Sequence, residues 1–511
     1  MNASIGTILT LRFARILAAA LASLAGIALA GSALAFDTGP HFDITEDVLK
    51  SEGFSPAAIA TAQSANFLVD FYEFIGNPKL ASILDPACRK AVERVLVNGD
   101  AQHFDDLDST RDVAQKWDAM LANTQSTAAA KAKAGDLLGL MALLGMSLHN
   151  VQDFYAHSNW VEGGTTGPPL GKGAWAKYGD HPTWLSVDRA DREAVDVYTR
   201  RERGVPKRTH GDWDSNADAL NKDWQGRPHH SDAYICAYFA SRQWVRLFRD
   251  FVGDPAVWSR MQAFSKSTFD PSRDWDYARK ISFYGGHWNG NGGPTTLGSA
   301  FSARTAATSP DLLANAVLNY MYGRCLTTKP GALRTEAEKL LLSWGAMPYK
   351  GPVNPTLPSP APETMQFVRL QVHRIDNING DDGFGGGEMD WYSRAAIDGQ
   401  RYWSGLIDEH DNFDFDKSPY APWTMTKAVT SSASEVPILF QLMELDYSDD
   451  DQVDVNPRSG AQSLVLRYSL AGGTLRGDVT GPSTFTVEGK GDCDCARLKM
   501  SVDRLSGSCL K

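Results

Sequence analysis

The sequence predicts a chain in two parts, a mainly α-helical domain followed by an all-β sandwich domain. Three observations carry this. Segments rich in Ala and Leu with helical spacing, such as 128–146 and 233–251, recur up to residue 347. Six prolines (Pro348, Pro352, Pro355, Pro358, Pro360 and Pro362) then mark a semi-rigid linker. Beyond it come short β-type runs, Phe367-Val-Arg-Leu-Gln-Val-His373, Val436-Pro-Ile-Leu-Phe-Gln-Leu442 and Ser463-Leu-Val-Leu-Arg-Tyr468, separated by Gly, Asp and Asn clusters. The expected boundaries are 36–347 for the helical domain, 348–362 for the linker and 363–511 for the sandwich.

Residues 1–35 read as an address. Arg12 and Arg15 precede an apolar stretch that ends in Ala33-Leu34-Ala35, the pattern of a cleaved secretory signal peptide. Export would make the mature chain begin at Phe36. After residue 35 the longest apolar run, 137–146, is about half of what a membrane helix needs, so no transmembrane segment is expected. The net charge of −11 argues against a general nucleic-acid binder. Six cysteines suit an oxidising compartment but are too sparse for a disulfide scaffold. Among them Cys509 is the expected partner of Cys493 or Cys495.

Histidine is concentrated in the first part: nine of eleven lie between His41 and His287, which locates metal chemistry there. The most informative segment is Ser147-Leu-His149-Asn-Val-Gln-Asp153-Phe-Tyr-Ala-His157-Ser-Asn-Trp160. His149, Asp153 and His157 fall at i, i+4 and i+8, so a helix projects them from one slowly drifting stripe. Imidazole and carboxylate together are a ligand set for Zn²⁺. Upstream, His41, Asp70 (in Asn66-Phe-Leu-Val-Asp70) and His103 (in Asp100-Ala-Gln-His103-Phe-Asp-Asp106) add donors.

That order of residues resembles the zinc-dependent phospholipase C and single-strand nuclease superfamily. The run from His149 through Ser158-Asn159-Trp160-Val161-Glu162 is most similar to a branch of it. That branch contains the heterokaryon-incompatibility (Het-C) proteins and bacterial phosphatidylcholine-hydrolysing phospholipases C. Asn66–Asp70 and Ala219-Leu-Asn-Lys-Asp223 resemble its secondary motifs, and the resemblance covers roughly 36–330.

The resemblance implies a helical fold with three zinc ions. His149 and Asp153, with Asp70 and His103, would hold the first. Asp153 would bridge to a second, held by the terminal amine and carbonyl of Phe36 and by His41. His157 would serve the outer ion, although the pattern puts that histidine where Asn159 stands. His210 and Asp214, in H-x-x-x-D spacing, are the candidates to complete that outer site, with His229 and His230 as rivals. The implied reaction is hydrolysis of a phospholipid at phosphorus by a metal-activated water, with Asp70 as general base. Two alternatives stay open: a single-strand-specific zinc nuclease, and a non-catalytic zinc-stabilised surface or toxin-like protein.

The sandwich is acidic, with 24 Asp and Glu against 14 Lys and Arg over 363–511. Clusters at Asp376–Asp382 with Glu388 and Asp390, and at Asp446–Asp454, are either Ca²⁺ ligands for lipid docking or a solvated rim. Trp391, Tyr402, Trp403 and Trp423 are either interfacial anchors or core. The expected partner is a phospholipid surface.

Overall fold

A long apolar helix organises the first part of the molecule. In this computed structural model the described residues are 38–76, 103–104, 107, 109–162, 177–188, 220, 222–223, 225, 227–265, 336, 339–340, 361–379, 388–404, 407, 410–418, 421–430, 432–444, 451–490 and 494–509. Six helices fall within them: α1 (Thr38–Ser51), α2 (Pro56–Gly76), α3 (Thr110–Ala134), α4 (Leu137–His157), α5 (His230–Val252) and α6 (Pro255–Gln262). Every residue of α4 from Gly139 to His157 is buried, the apolar first half and the polar second half alike. None of the described helices is long and apolar enough to cross a membrane.

The helical segment expected over 128–146 is interrupted. Gly135 adopts the left-handed conformation (φ 67°) that closes α3, and Asp136 then caps α4 by accepting from Gly139 N–H. Gly145 allows α4 to approach α2 closely, since a Cβ there would stand 2.1 Å from the Ala62 carbonyl oxygen. Helix α5 completes the layer, packing on α4 with 17 of its 23 residues buried.

The second part is two antiparallel sheets. One joins β1 (Glu363–Asn377) to β12 (Ala496–Cys509), with β11 (Thr484–Glu488) beyond β12. On its other edge β1 pairs with β4 (Asn412–Asp414) and β5 (Trp423–Val429). The second sheet runs β10 (Gly481–Pro482), β9 (Thr474–Gly477), β8 (Leu464–Ser469), β6 (Glu435–Glu444), β2 (Trp391–Ile397) and β3 (Gln400–Trp403). A short β7 (Asp451–Val453) also pairs with β6. All three β-type runs of the sequence lie on strands, and their alternating burial is that of a sheet with one packed face.

Helices and sheets meet along a buried seam. Phe367 of β1 packs edge-on against Tyr238 and Phe239 of α5, with ring centroids 5.6 and 5.9 Å apart. Gly507 of β12 leaves room for this contact, because a Cβ there would come within 2.9 Å of the Phe367 ring. Polar links border the apolar contact: Lys427 to Asp47, Arg242 and Arg246 to Glu363, and His181 N–H to the Ser508 carbonyl.

Two sequence expectations about the sheets change. Trp391, Tyr402 and Trp423 are at most 2% exposed, so they are core and not interfacial anchors; the Trp403 side chain lies outside the described residues. Cys495 and Cys509 do not pair with each other, because Cys495 precedes the 14-residue strand β12 and Cys509 ends it. Cys493 lies outside the described residues.

Candidate metal centre

Four polar side chains converge beneath α4, all fully buried: His41 from α1, His103 from the turn before α3, and His149 and Asp153 from α4. The Asp153 carboxylate is the hub. Its Oδ1 lies 2.8 Å from His41 Nε2, and its Oδ2 lies 2.8 Å from His149 Nε2 and 2.9 Å from His103 Nδ1. His149 Nε2 and His103 Nδ1 are 3.1 Å apart. The His41 and His149 rings stack at 4.2 Å.

Neighbouring amides fix the tautomers. Gln152 Nε2 donates to Thr45 Oγ1 and Ser241 Oγ, which leaves its Oε1 to accept from His41 Nδ1 at 2.6 Å. Asn66 Nδ2 donates to Thr45 Oγ1 and to Gln152 Oε1, so its Oδ1 accepts from His149 Nδ1 at 3.1 Å. Both Nδ1 atoms therefore carry a proton, and both Nε2 atoms face the carboxylate. A cation beside the carboxylate would be shared by these nitrogens and the Asp153 oxygens. This is how second-shell partners prepare metal-ligating histidines.

A proton is a poor candidate for that cation. Burial pushes the His149 imidazole down to about 3; Asp153 opposes this, while His41 and His103 add to it. Burial alone would raise the Asp153 carboxyl, but the facing imidazoles outweigh it and hold the group well below the usual carboxylate range. The centre is thus a carboxylate held ionised, with imidazole nitrogens on both of its oxygens. His41, His149 and Asp153 offer donor atoms within 4.8 Å of one another, a set that fits a borderline divalent metal ion.

His157 stands apart. Two helical turns beyond His149 the direction has rotated by about 80°, and this ring faces a second buried polar cluster. Its Nδ1 donates to the His103 carbonyl at 2.9 Å, and its Nε2 lies 3.1 Å from Asp223 Oδ1. Beside it Lys222 Nζ donates to Glu162 and to the carbonyls of Ser158 and Leu220. His230 Nδ1 donates to the Lys222 carbonyl, and burial pushes that ring down to about 4. His229 is instead exposed near Asp232, which also faces His181.

Among the sequence candidates, His41, His103, His149 and Asp153 come together, and His157 lies one cluster away. Asp70 is on α2, one turn after Asn66, with its side chain outside the described residues. Phe36, His210, Asp214 and His287 lie outside them as well. Reading the sequence for ligands missed Asn66, Gln152 and Asp223. The signal for Asn66 and Asp223 was the two motifs that already contained them, and Gln152 stands inside the His149–Asp153 run.

Comparisons with known proteins add little to this geometry. Residues 60–172, which include α3 and α4, match the VWA7 N-terminal domain family. No curated protein matches the chain. Similar solved structures include human GIVD cytosolic phospholipase A2 in complex with methyl gamma-linolenyl fluorophosphonate and terbium chloride, at 11% identity and TM-score 0.18. That match covers 28% of this chain and 18% of the phospholipase, so the chain spans less than a fifth of that relative. A structure of a C2 domain matches at 12% identity and TM-score 0.18, over 28% of this chain and 98% of the domain. Clostridium perfringens alpha-toxin from an avian strain matches at 12% identity and TM-score 0.11, over 82% of this chain and 97% of the toxin. At such TM-scores these likenesses carry no argument about fold or reaction.

Proposed function

We propose that this chain is a secreted zinc-dependent phospholipase C that hydrolyses phosphatidylcholine-type phospholipids to diacylglycerol and a phosphorylated head group. The observation that carries the reading is the convergence of His41, His103 and His149 on the two oxygens of Asp153. Asp153, His41 and His149 would hold the zinc, with His103 beside them. When bound, zinc would take the non-bridging phosphate oxygens, make an attacking water acidic and stabilise the departing alkoxide.

The chain's own groups do the rest. Gln152 and Asn66 hold the imidazoles in the ligating tautomer. Phe104, Trp117, Phe154 and Trp184 pack ring to ring behind α4, which keeps bulk water from the back of the cluster. Asp70 is assigned the proton of the attacking water. The oxygen of that water forms the new bond to phosphorus, the P–O bond to glycerol breaks, and the glycerol oxygen takes the proton. Zinc suits the imidazole-rich donor set better than a hard cation would.

The test is release of phosphorylated head group from phosphatidylcholine, with single-stranded DNA digestion run in parallel. Release that stops on chelation and returns with added zinc is expected, with DNA left intact. DNA digestion without head-group release would make the chain a nuclease. A zinc-loaded chain inert in both assays would be non-catalytic.

A further inference from the structure

Helix α1 is held on two opposite faces. His41 and Thr45 stand one turn apart on the face toward α2 and α4. There Thr45 Oγ1 accepts from Asn66 Nδ2 and from Gln152 Nε2, both at 3.2 Å. Asp43, Glu46 and Asp47 fall about 140–240° round the helix axis from His41, and this stripe meets the second part of the molecule. Gln400 Nε2 of β3 donates to Asp43 Oδ1 at 3.2 Å and reaches Glu46 Oε2 at 3.5 Å. Lys427 Nζ of β5 donates to Asp47 Oδ1.

These contacts lie inside the protein. Gln400 is 4% and Asp43 1% exposed, and the side chains of Lys427 and Asp47 are 9% and 14% exposed. The buried phenols of Tyr234 on α5 and Tyr402 on β3 feel the same stripe: burial pushes both well up, and Asp43 and Asp47 add to it. Carboxylates so placed are costly unless donors and a cation meet them. The sandwich supplies both.

With 14 residues, α1 is too short to be stable alone, so what it packs on fixes its set about its own axis. That set matters for His41. A side-chain tip lies about 5–6 Å from a helix axis, so a rotation of about 10° would carry the ring nitrogen about 1 Å. A metal site tolerates only about 0.5 Å.

We infer that Lys427 and Gln400 are positioning residues for the metal centre: they set α1 about its axis and so hold His41 Nε2 at Asp153. The sandwich is then part of the metal-binding apparatus. This rests on reading the cluster under α4 as a metal centre, and not on the reaction assigned to it. Contacts that merely fasten the two parts together would add stability equally with and without metal.

The experiment uses the full chain. A chelating dye measures zinc affinity by competition, melting is followed with and without zinc, and the cobalt(II)-loaded chain gives a visible spectrum. Lys427→Met keeps the aliphatic stem and removes the charge; Gln400→Leu removes the donor to Asp43. Losing a partner that orients a ligand costs roughly 10–100-fold, and these residues act one step further out, so each variant should bind zinc about tenfold more weakly. At a fixed concentration of free zinc, the rise in melting temperature on loading should shrink, since that rise follows the affinity of the folded state. The cobalt bands should change in intensity as His41 leaves its place. Lys427→Arg should restore affinity and spectrum. Should Lys427→Met fail to fold, Gln400→Leu carries the test. Parent-like zinc affinity in the folded variants, with melting lowered equally with and without zinc, would overturn the proposal. So would a loss that Lys427→Arg does not recover, because the charge would not be its cause. A parent that binds no zinc would overturn the metal centre itself, and this proposal with it.

Discussion

Among the places where histidines meet aspartates in the described residues, two differ in everything except residue type. Under α4, His41, His103 and His149 lie 2.8–2.9 Å from Asp153, with all four side chains at most 1% exposed. At the start of α5, His181 and His229 lie 3.6 and 3.8 Å from Asp232, whose side chain is half exposed. In the first place amides from α2 and α4 orient the His41 and His149 rings, and burial pushes His149 down. In the second, His229 is pushed up by its bond to Asp232, and water screens the pair. A metal centre is made by burial and fixed tautomers as much as by the residue types.

The largest effect should come from removing a donor under α4. His149→Ala or Asp153→Ala is expected to abolish head-group release and lower bound zinc, because no neighbour can restore the lost bond. Elemental analysis beside an activity assay reads both. Near-normal rates in either variant would break the assignment of this cluster.

Next come the amides. Asn66→Ala and Gln152→Leu leave every donor in place but release the tautomers, so each should cost roughly 10–100-fold in zinc affinity or activity. Competition with a chelating dye measures the affinity. An unchanged affinity would mean that burial alone prepares the site.

The contrast also explains what was legible in the sequence. The i, i+4 relation of His149 and Asp153 is local, so the helical period alone puts them together. His41 and His103 join through tertiary packing, which spacing cannot give, and were reached through a resemblance. Local geometry misled at His157, where the accumulated drift turns the ring to Asp223. The strands were legible from alternation, yet alternation does not tell an interfacial Trp391 from a core one; the second sheet face decides that. Gly135 ends a helix inside an apolar-rich stretch because its left-handed conformation outweighs the pattern on either side.

Acid should distinguish the two places more gently. In zinc-free protein, burial pushes His149 down to about 3 and His230 down to about 4, from an ordinary value of 6.5. Between those values and 6.5 the unfolded chain binds protons that the folded chain refuses. Their stabilisation is therefore full above about 6.5 and is lost as pH falls toward 4. The raised His229 has the opposite sign: its contribution is present in acid and is lost as pH rises through its folded value. Melting of the chelated protein from pH 7.5 to 4.5 should fall monotonically, because two buried rings outweigh one half-exposed one. A melting temperature that rose on acidification would reverse that ranking.

The smallest effect is expected at the start of α5. Asp232→Asn keeps the size of the side chain and removes the charge shared by His181 and His229. Half-exposed ion pairs are worth about 0–1 kcal/mol, and a carboxylate in the first turn of a helix contributes a further ~0.3–1 kcal/mol. The loss of stability should therefore stay near 1 kcal/mol, should shrink in high salt, and should leave zinc content unchanged. The neutral variant should also lose the lift on His229, whose ring would titrate at lower pH by NMR. The salt dependence separates the readings: a loss that persists in high salt would belong to packing at the seam with Ser508. A fall in bound zinc would be more serious, since it would make this pair part of the metal chemistry and erase the distinction between the two places.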